Sequence, residues 1–257
     1  MPLKKLSEAD FAVLRGPLES GRQSPNSLAF TLVLCVIFQP LLFFLVYVVA
    51  ADSSNFPFIN NIYYIHLIIT ISLVVLSAIF SIKTLYKKYQ KIQYLLVILG
   101  SQNIGGISFY LMALFFIGQN VDSESSLLTL AYITLLFGLL NFVVTCMRFY
   151  ILLKSGAYRK ESKRDKLRSK LELDIKSYMP IIITASIGLV FVLQFLVRTF
   201  GLADIETTIM MIFCFSLFYT MLFVLPEQLV ILYCKYRFES FNFNKNGKLK
   251  PMDRERA

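Results

Sequence analysis

Two charged side chains stand deep inside apolar stretches, and they are where this sequence could do chemistry. Arg148 precedes Lys154 by six residues and Glu227 precedes Lys235 by eight. At about 1.5 Å per residue, both lie on the order of 10 Å inside the same edge of a bilayer. Opposite charges at matching depth suit an ion pair that ties two helices together, and removing one partner would strand the other. Glu227 has a second use, since intramembrane carboxylates take up protons or bind cations on transport paths. Arg148 also has an alternative, because its stem is long enough to carry the guanidinium to the headgroups unaided. Glu227 shares a helical face with Ser216 and Thr220 and follows Pro226, which can loosen the local backbone.

Uncharged polar groups form a second candidate. Gln102 and Asn103 sit among Gly100, Ser101, Gly105 and Gly106, and Gln39 precedes Pro40 in the middle of another apolar run. These amides could line a polar pocket in a broken helix, as in secondary transporters. Alternatively, the small residues allow close packing, with an amide bond between helices. In the run from Ser126 to Leu153, Ala131, Thr134, Gly138, Asn141, Thr145 and Arg148 recur at steps of three and four. That spacing gathers the small and polar side chains on one face, expected to pack on protein, and makes this helix the expected centre of the fold. His66 is the sole histidine and has no ligand at metal-binding spacing. Arg198, one turn after Gln194, reads as an interfacial anchor near Asp204 and Glu206. Zinc-protease, hydrolase and phosphate-loop motifs are absent, so neither catalysis nor a cofactor is expected.

The elements that must position these groups are membrane helices. With 56% hydrophobic residues and a mean hydropathy of +0.64, the chain lies outside the range of ordinary soluble domains. An all-α polytopic fold is expected, with spans at about 28–51, 62–82, 92–118, 126–153, 179–200 and 207–234. A polar segment, 1–27, precedes them, with Ser7 and Asp10 at the start of a capped turn that could lie along the membrane. A loop, 154–178, carries nine Lys or Arg against four acidic residues, and a basic tail covers 235–257. Apolar residues at helical spacing in that loop suggest an amphipathic helix against the headgroups.

Lys and Arg number four before the first span, four between the second and third, nine between the fourth and fifth, and seven after the sixth. Only Arg148 and Arg198 remain of the 26, and the other three connections carry none. Positive charge stays in the cytoplasm, so both termini are expected inside, with the chain forming three hairpins in the plasma membrane. The net charge of +10 follows from this arrangement, and no nucleic-acid motif accompanies it. Cys35, Cys146, Cys214 and Cys234 all belong to apolar runs, so no disulfide framework is implied.

Six spans with both ends inside resemble, in topology, the membrane subunits of small bacterial ABC exporters. Such subunits dock an ATPase through a first cytoplasmic loop with an acidic residue, whereas Lys83 to Lys91 contains none. The Lys- and Ile-rich composition and the tail opening Tyr233-Cys234-Lys235-Tyr236-Arg237-Phe238 also resemble multi-span proteins of Gram-positive bacteria. Those proteins accompany secreted toxins, including at type VII secretion loci, as immunity or accessory proteins. The expected function is therefore non-enzymatic: binding another membrane or secreted protein in or at the bilayer. A transporter, channel or exporter component is the alternative, and a lipid-binding scaffold built on 154–178 is a third reading.

Overall fold

The computed structural model describes residues 6–121, 123–162, 165–166, 203–244 and 246–252. The expected fifth span, Arg198 and most of the basic loop lie outside them. Five helices among the described residues are long and apolar enough to cross a membrane. They are α1 (Pro25–Ala50), α2 (Ile59–Phe80), α3 (Gln90–Gly118), α4 (Glu124–Lys154) and α5 (Ala203–Arg237). The described residues are helical apart from turns and one isolated bridge, as suits a membrane protein, and α5 corresponds to the expected sixth span.

Local chemistry sets the helix ends. Pro25 occupies the first turn of α1, where its missing N–H costs nothing, and the Ser24 hydroxyl accepts the Ser27 N–H at 3.3 Å. Ser123 caps α4 similarly, at 3.4 Å from the Ser126 nitrogen. A short helix, Lys83–Lys88, joins α2 to α3, and the chain breaks direction at Tyr89. Opposite that break, the connection after α1 folds against the end of α3. The Asn55 N–H donates to the Gly118 carbonyl at 2.9 Å, as does Gln119 Nε2 to Ala50. A Cβ on Gly118 would lie 2.2 Å from Ser54 Oγ and 3.1 Å from the Phe56 backbone nitrogen, so only glycine allows this approach.

Among the described residues two helices contain a π-helical turn: Leu45–Ala50 ends α1, and Asn103–Ser108 interrupts α3. In α3 the widened turn loosens the regular ladder, and the Ser108 hydroxyl donates to the Asn103 carbonyl at 2.9 Å.

Half of the apolar window of α3 is buried, against 17% for α4. Among the described residues α3 is therefore the more buried helix, whereas α4 was the one expected at the centre. The small residues of α4 mark one packing edge, whereas α3 is apolar or polar-and-paired on several sides. Tyr110 through Phe115, for example, are all buried. One cluster of buried side chains surrounds these residues and includes Val46, Phe56, Leu127 and Phe218. A second, at the end of the bundle that carries both terminal segments, includes Phe11, Leu14, Tyr94, Phe149, Ile231 and Phe241.

Candidate functional site

Between the two apolar clusters lies a buried polar group drawn from three helices. Asn103, at the start of the π-helical turn, donates through Nδ2 to Gln39 Oε1 of α1 at 3.1 Å and to Thr70 Oγ1 of α2 at 3.2 Å. His66, one turn before Thr70, interacts with Asn103 and lies 3.2 Å through Nδ1 from the Tyr47 hydroxyl. Gln39, His66, Thr70 and Asn103 are each 3% exposed or less. The sequence-predicted amides thus divide. Gln39 and Asn103 meet, whereas Gln102 turns the other way and donates to the Met221 carbonyl of α5 at 3.1 Å.

Thr70 and His66 were not anticipated as members of this group. The spacing of 66 and 70 puts them on one face of α2, but nothing in sequence says which face meets α3. Gln39 Nε2, His66 Nε2 and Asn103 Oδ1 are buried without a hydrogen bond of good geometry. Such atoms are costly in hydrocarbon, so a cluster of them inside the described helices calls for a reason.

Beside the group, α1 and α2 leave an apolar groove of about 340 Å³ lined by Pro40, Phe43, Tyr47, Tyr63, Thr70 and Val74 among others. Tyr47, Tyr63, Phe43 and His66 stack around one another with ring centroids 4.6 to 5.7 Å apart.

Comparison of the chain with protein-family models, with curated proteins and with solved structures finds no match.

The α4 stripe lies along α3 and α5. Ala131, Gly138 and Thr145 are buried, and a Cβ on Gly138 would meet Leu222 at 3.0 Å and the Phe218 ring at 3.1 Å. The Tyr110 hydroxyl donates to the Ala131 carbonyl at 2.9 Å and lies 3.0 Å from Thr134 Oγ1. Asn141 Nδ2 donates to the Tyr219 carbonyl at 3.2 Å, and the Thr145 hydroxyl returns to Asn141. Farther along, Arg148 and Glu227 line one small cavity of about 90 Å³ between α4 and α5, together with Thr145, Tyr158 and Phe223. The Arg148 guanidinium carbon lies 5.7 Å from the centre of the Phe223 ring.

The terminal segments supply what the sequence did not predict: a folded platform at one end of the bundle. Residues Glu8–Arg15 form a 3-10 helix whose apolar side chains turn onto the protein's own helices, with Phe11 and Leu14 fully buried. The Asp10 carboxylate accepts the Ser7 N–H at 2.8 Å and Arg159 Nε at 2.7 Å. Burial alone would raise the Asp10 carboxyl. Its bonds to Arg159 and Ser7 and the charge of Arg159 outweigh that effect and hold it below the ordinary carboxylate range.

The Val13 N–H donates to the Tyr158 carbonyl at 2.9 Å, and Arg15 Nη2 to the Lys250 carbonyl at 3.0 Å. The tail turns back at Glu239–Phe241 and closes a tight loop with a single bridge between Phe243 and Leu249. Lys235, 1% exposed at the end of α5, donates to the Phe241 carbonyl at 3.0 Å. Its ammonium lies 5.3 Å from the Tyr94 ring and 5.6 Å from the Phe243 ring.

Among the described residues, no group of three or more His, Cys, Asp or Glu is placed to hold a metal ion.

Proposed function

We propose that the protein is a six-span plasma-membrane protein with both termini in the cytoplasm, which acts without catalysis by binding another protein in or at the bilayer. The distribution of Lys and Arg supports the orientation, and the apolar run 179–200 would complete the third hairpin.

The observation that carries the reading is the platform. Three segments far apart in the chain, namely 6–18, 155–162 and 238–250, are tied to one another through Asp10 with Arg159, Val13 with Tyr158, and Arg15 with Lys250. A surface held in one shape keeps the entropic cost of binding low, which suits a partner protein. Toxin immunity or a secretion accessory role is the most concrete form of this reading.

Photo-crosslinking residues placed at Lys160 and Lys248 on the platform, and at Leu140 on the outward side of α4, test it in the native host. The expected result is one discrete adduct at the platform positions, identified by mass spectrometry. No adduct at any of the three positions would overturn the reading. A toxin or secretion component in the adduct supports immunity or accessory function, and an ATPase supports the exporter-like alternative.

Transport or channel activity is the second reading, favoured by the buried polar cluster of Gln39, His66, Thr70 and Asn103 beside a π-helical turn. Reconstituted liposomes that show no solute or proton flux with the wild type would remove it. Under this reading Glu227→Gln or Asn103→Leu abolishes flux, and under the first both spare partner binding as long as the protein accumulates.

A further inference from the structure

We propose that a cleft at the basic end of the bundle is a binding site for a phosphate group carrying a hydroxylated substituent, such as the headgroup of a polyol phospholipid. The cleft, about 420 Å³, opens where α3 begins and α5 ends, between the Tyr89 break and the returning tail. That is the level at which lipid phosphates meet a membrane protein, and its volume suits a small headgroup.

Its charge fits an anion. Lys88, Lys91 and Lys250 line it against a single carboxylate, Glu239, which pairs with Lys250. The ammonium groups of Lys88 and Lys91 each lie 5.2 Å from a ring centre, over Tyr89 and Tyr236 respectively. Both rings also line the cleft, so the two cations are held at its wall on aromatic faces.

Asn242 supplies the second, independent feature. It forms part of the wall and is 7% exposed. Its Nδ2 is engaged by the carbonyls of Lys235 and Phe238, at 2.9 and 3.1 Å, while Oδ1 is buried with no donor. A bare phosphate dianion offers that oxygen nothing, whereas a ligand hydroxyl donates to it once the Asn242 side chain shifts toward the cleft, since Oδ1 is sealed in the empty cleft. The cleft is also built rather than incidental: Gln90 and Phe243 exchange two hydrogen bonds of 2.9 Å, which fix the tail against the start of α3.

The test uses the full-length protein, stripped of lipid in a neutral detergent. A thiol-reactive dye reports unfolding as Cys35, Cys214 and Cys234 become exposed, since all three are free and buried. Phosphatidylglycerol added in mixed micelles should raise the unfolding midpoint saturably, and phosphatidylcholine of the same chain length should not. Phosphatidate, which lacks the polyol, should bind more weakly than phosphatidylglycerol.

Lys88→Gln with Lys91→Gln should weaken the phosphatidylglycerol response by about 30-fold, from two lysines near the surface. Lys88→Arg with Lys91→Arg should retain it, and Lys154→Gln with Lys160→Gln, elsewhere on the same end, should leave it unchanged. Free glycerol 3-phosphate competing at comparable concentration would identify a water-soluble ligand of this chemistry, and its failure to compete would identify the lipid. An equal response to phosphatidylcholine or phosphatidate, or an undiminished response in the Lys88→Gln, Lys91→Gln protein, overturns the assignment.

Discussion

Replacing Gln90 by Met should release the tail from the bundle while leaving the helices intact. The Gln90 side chain accepts the Phe243 N–H and donates to the Phe243 carbonyl, both at 2.9 Å. It thereby copies the paired exchange of two facing residues in an antiparallel sheet. Methionine keeps the length of the side chain and removes both bonds. At about 1 kcal/mol net for each neutral bond, the loss is about 2 kcal/mol, or about 30-fold in the equilibrium between docked and released tail. Gln90 is half-buried, so water reaches the freed groups only once the tail lifts. Amide hydrogen exchange read by mass spectrometry on a peptide covering residues 239–250 measures that opening, with α4 as the internal reference. The expected result is exchange about 30-fold faster in the tail and unchanged in α4. Unchanged tail exchange would refute the reasoning and mean that burial of Phe241 and Phe243 alone holds the segment down.

Other predictions concern the interior, the N-terminal turn and one strained residue. Asn103→Leu removes bonds to Gln39 and Thr70 and should cost about 1 kcal/mol, given the modest worth of hydrogen bonds between membrane helices. The thiol-dye midpoint would fall accordingly. Arg148 and Glu227 line one cavity, so Arg148→Glu combined with Glu227→Arg should accumulate better than either single change, measured by immunoblot of membrane fractions. Asp10 is held below the usual carboxylate range, so its contribution is complete above about pH 4 and fades as pH falls through its lowered value. Acid titration of proteolytic release of the N-terminal segment should therefore show a step that Asp10→Asn abolishes, small because Arg159 is 63% exposed. Phe58 precedes α2 with φ of 62°, a conformation costly for a bulky side chain, and Phe58→Asn should stabilise the protein by up to about 1 kcal/mol in thermal unfolding.

Hydropathy was sufficient to locate the helices. The first, second, third, fourth and sixth expected runs coincide with α1 to α5 within four residues at each end. Burial was not legible, because lipid and protein interiors accept the same leucines and phenylalanines. Nothing in the apolar composition of α3 distinguishes a helix surrounded on several sides from one with a single packed edge. The polar residues carried more information. Gln39 and Asn103 were anticipated as one pocket and do meet, but their partner Thr70 is an ordinary threonine in an apolar run, and its role depends on the rotation of α2.

The platform was hidden for a different reason. Its apolar residues, Phe11, Leu14, Phe241 and Phe243, are scattered among charges and too few to show a period. Lys235 illustrates the limit of charge counting. It reads as the first residue of a solvated tail, yet it is sealed beneath Phe241.

The π-helical turn of α3 also bears on how this chain can change length. An α-helix that loses one residue rotates everything beyond the gap by about 100°, which would turn the buried side of Tyr110 to Phe115 away from its neighbours. A π turn holds one residue more than the α turn it replaces. Deleting a single residue within 103–108 therefore lets the helix close into regular form with both flanks still facing as they do now. The same deletion at 96 or 112 would misalign half of the helix. Length variation among natural variants of this protein should accordingly collect at 103–108, and likewise at 45–50, rather than elsewhere in the membrane helices.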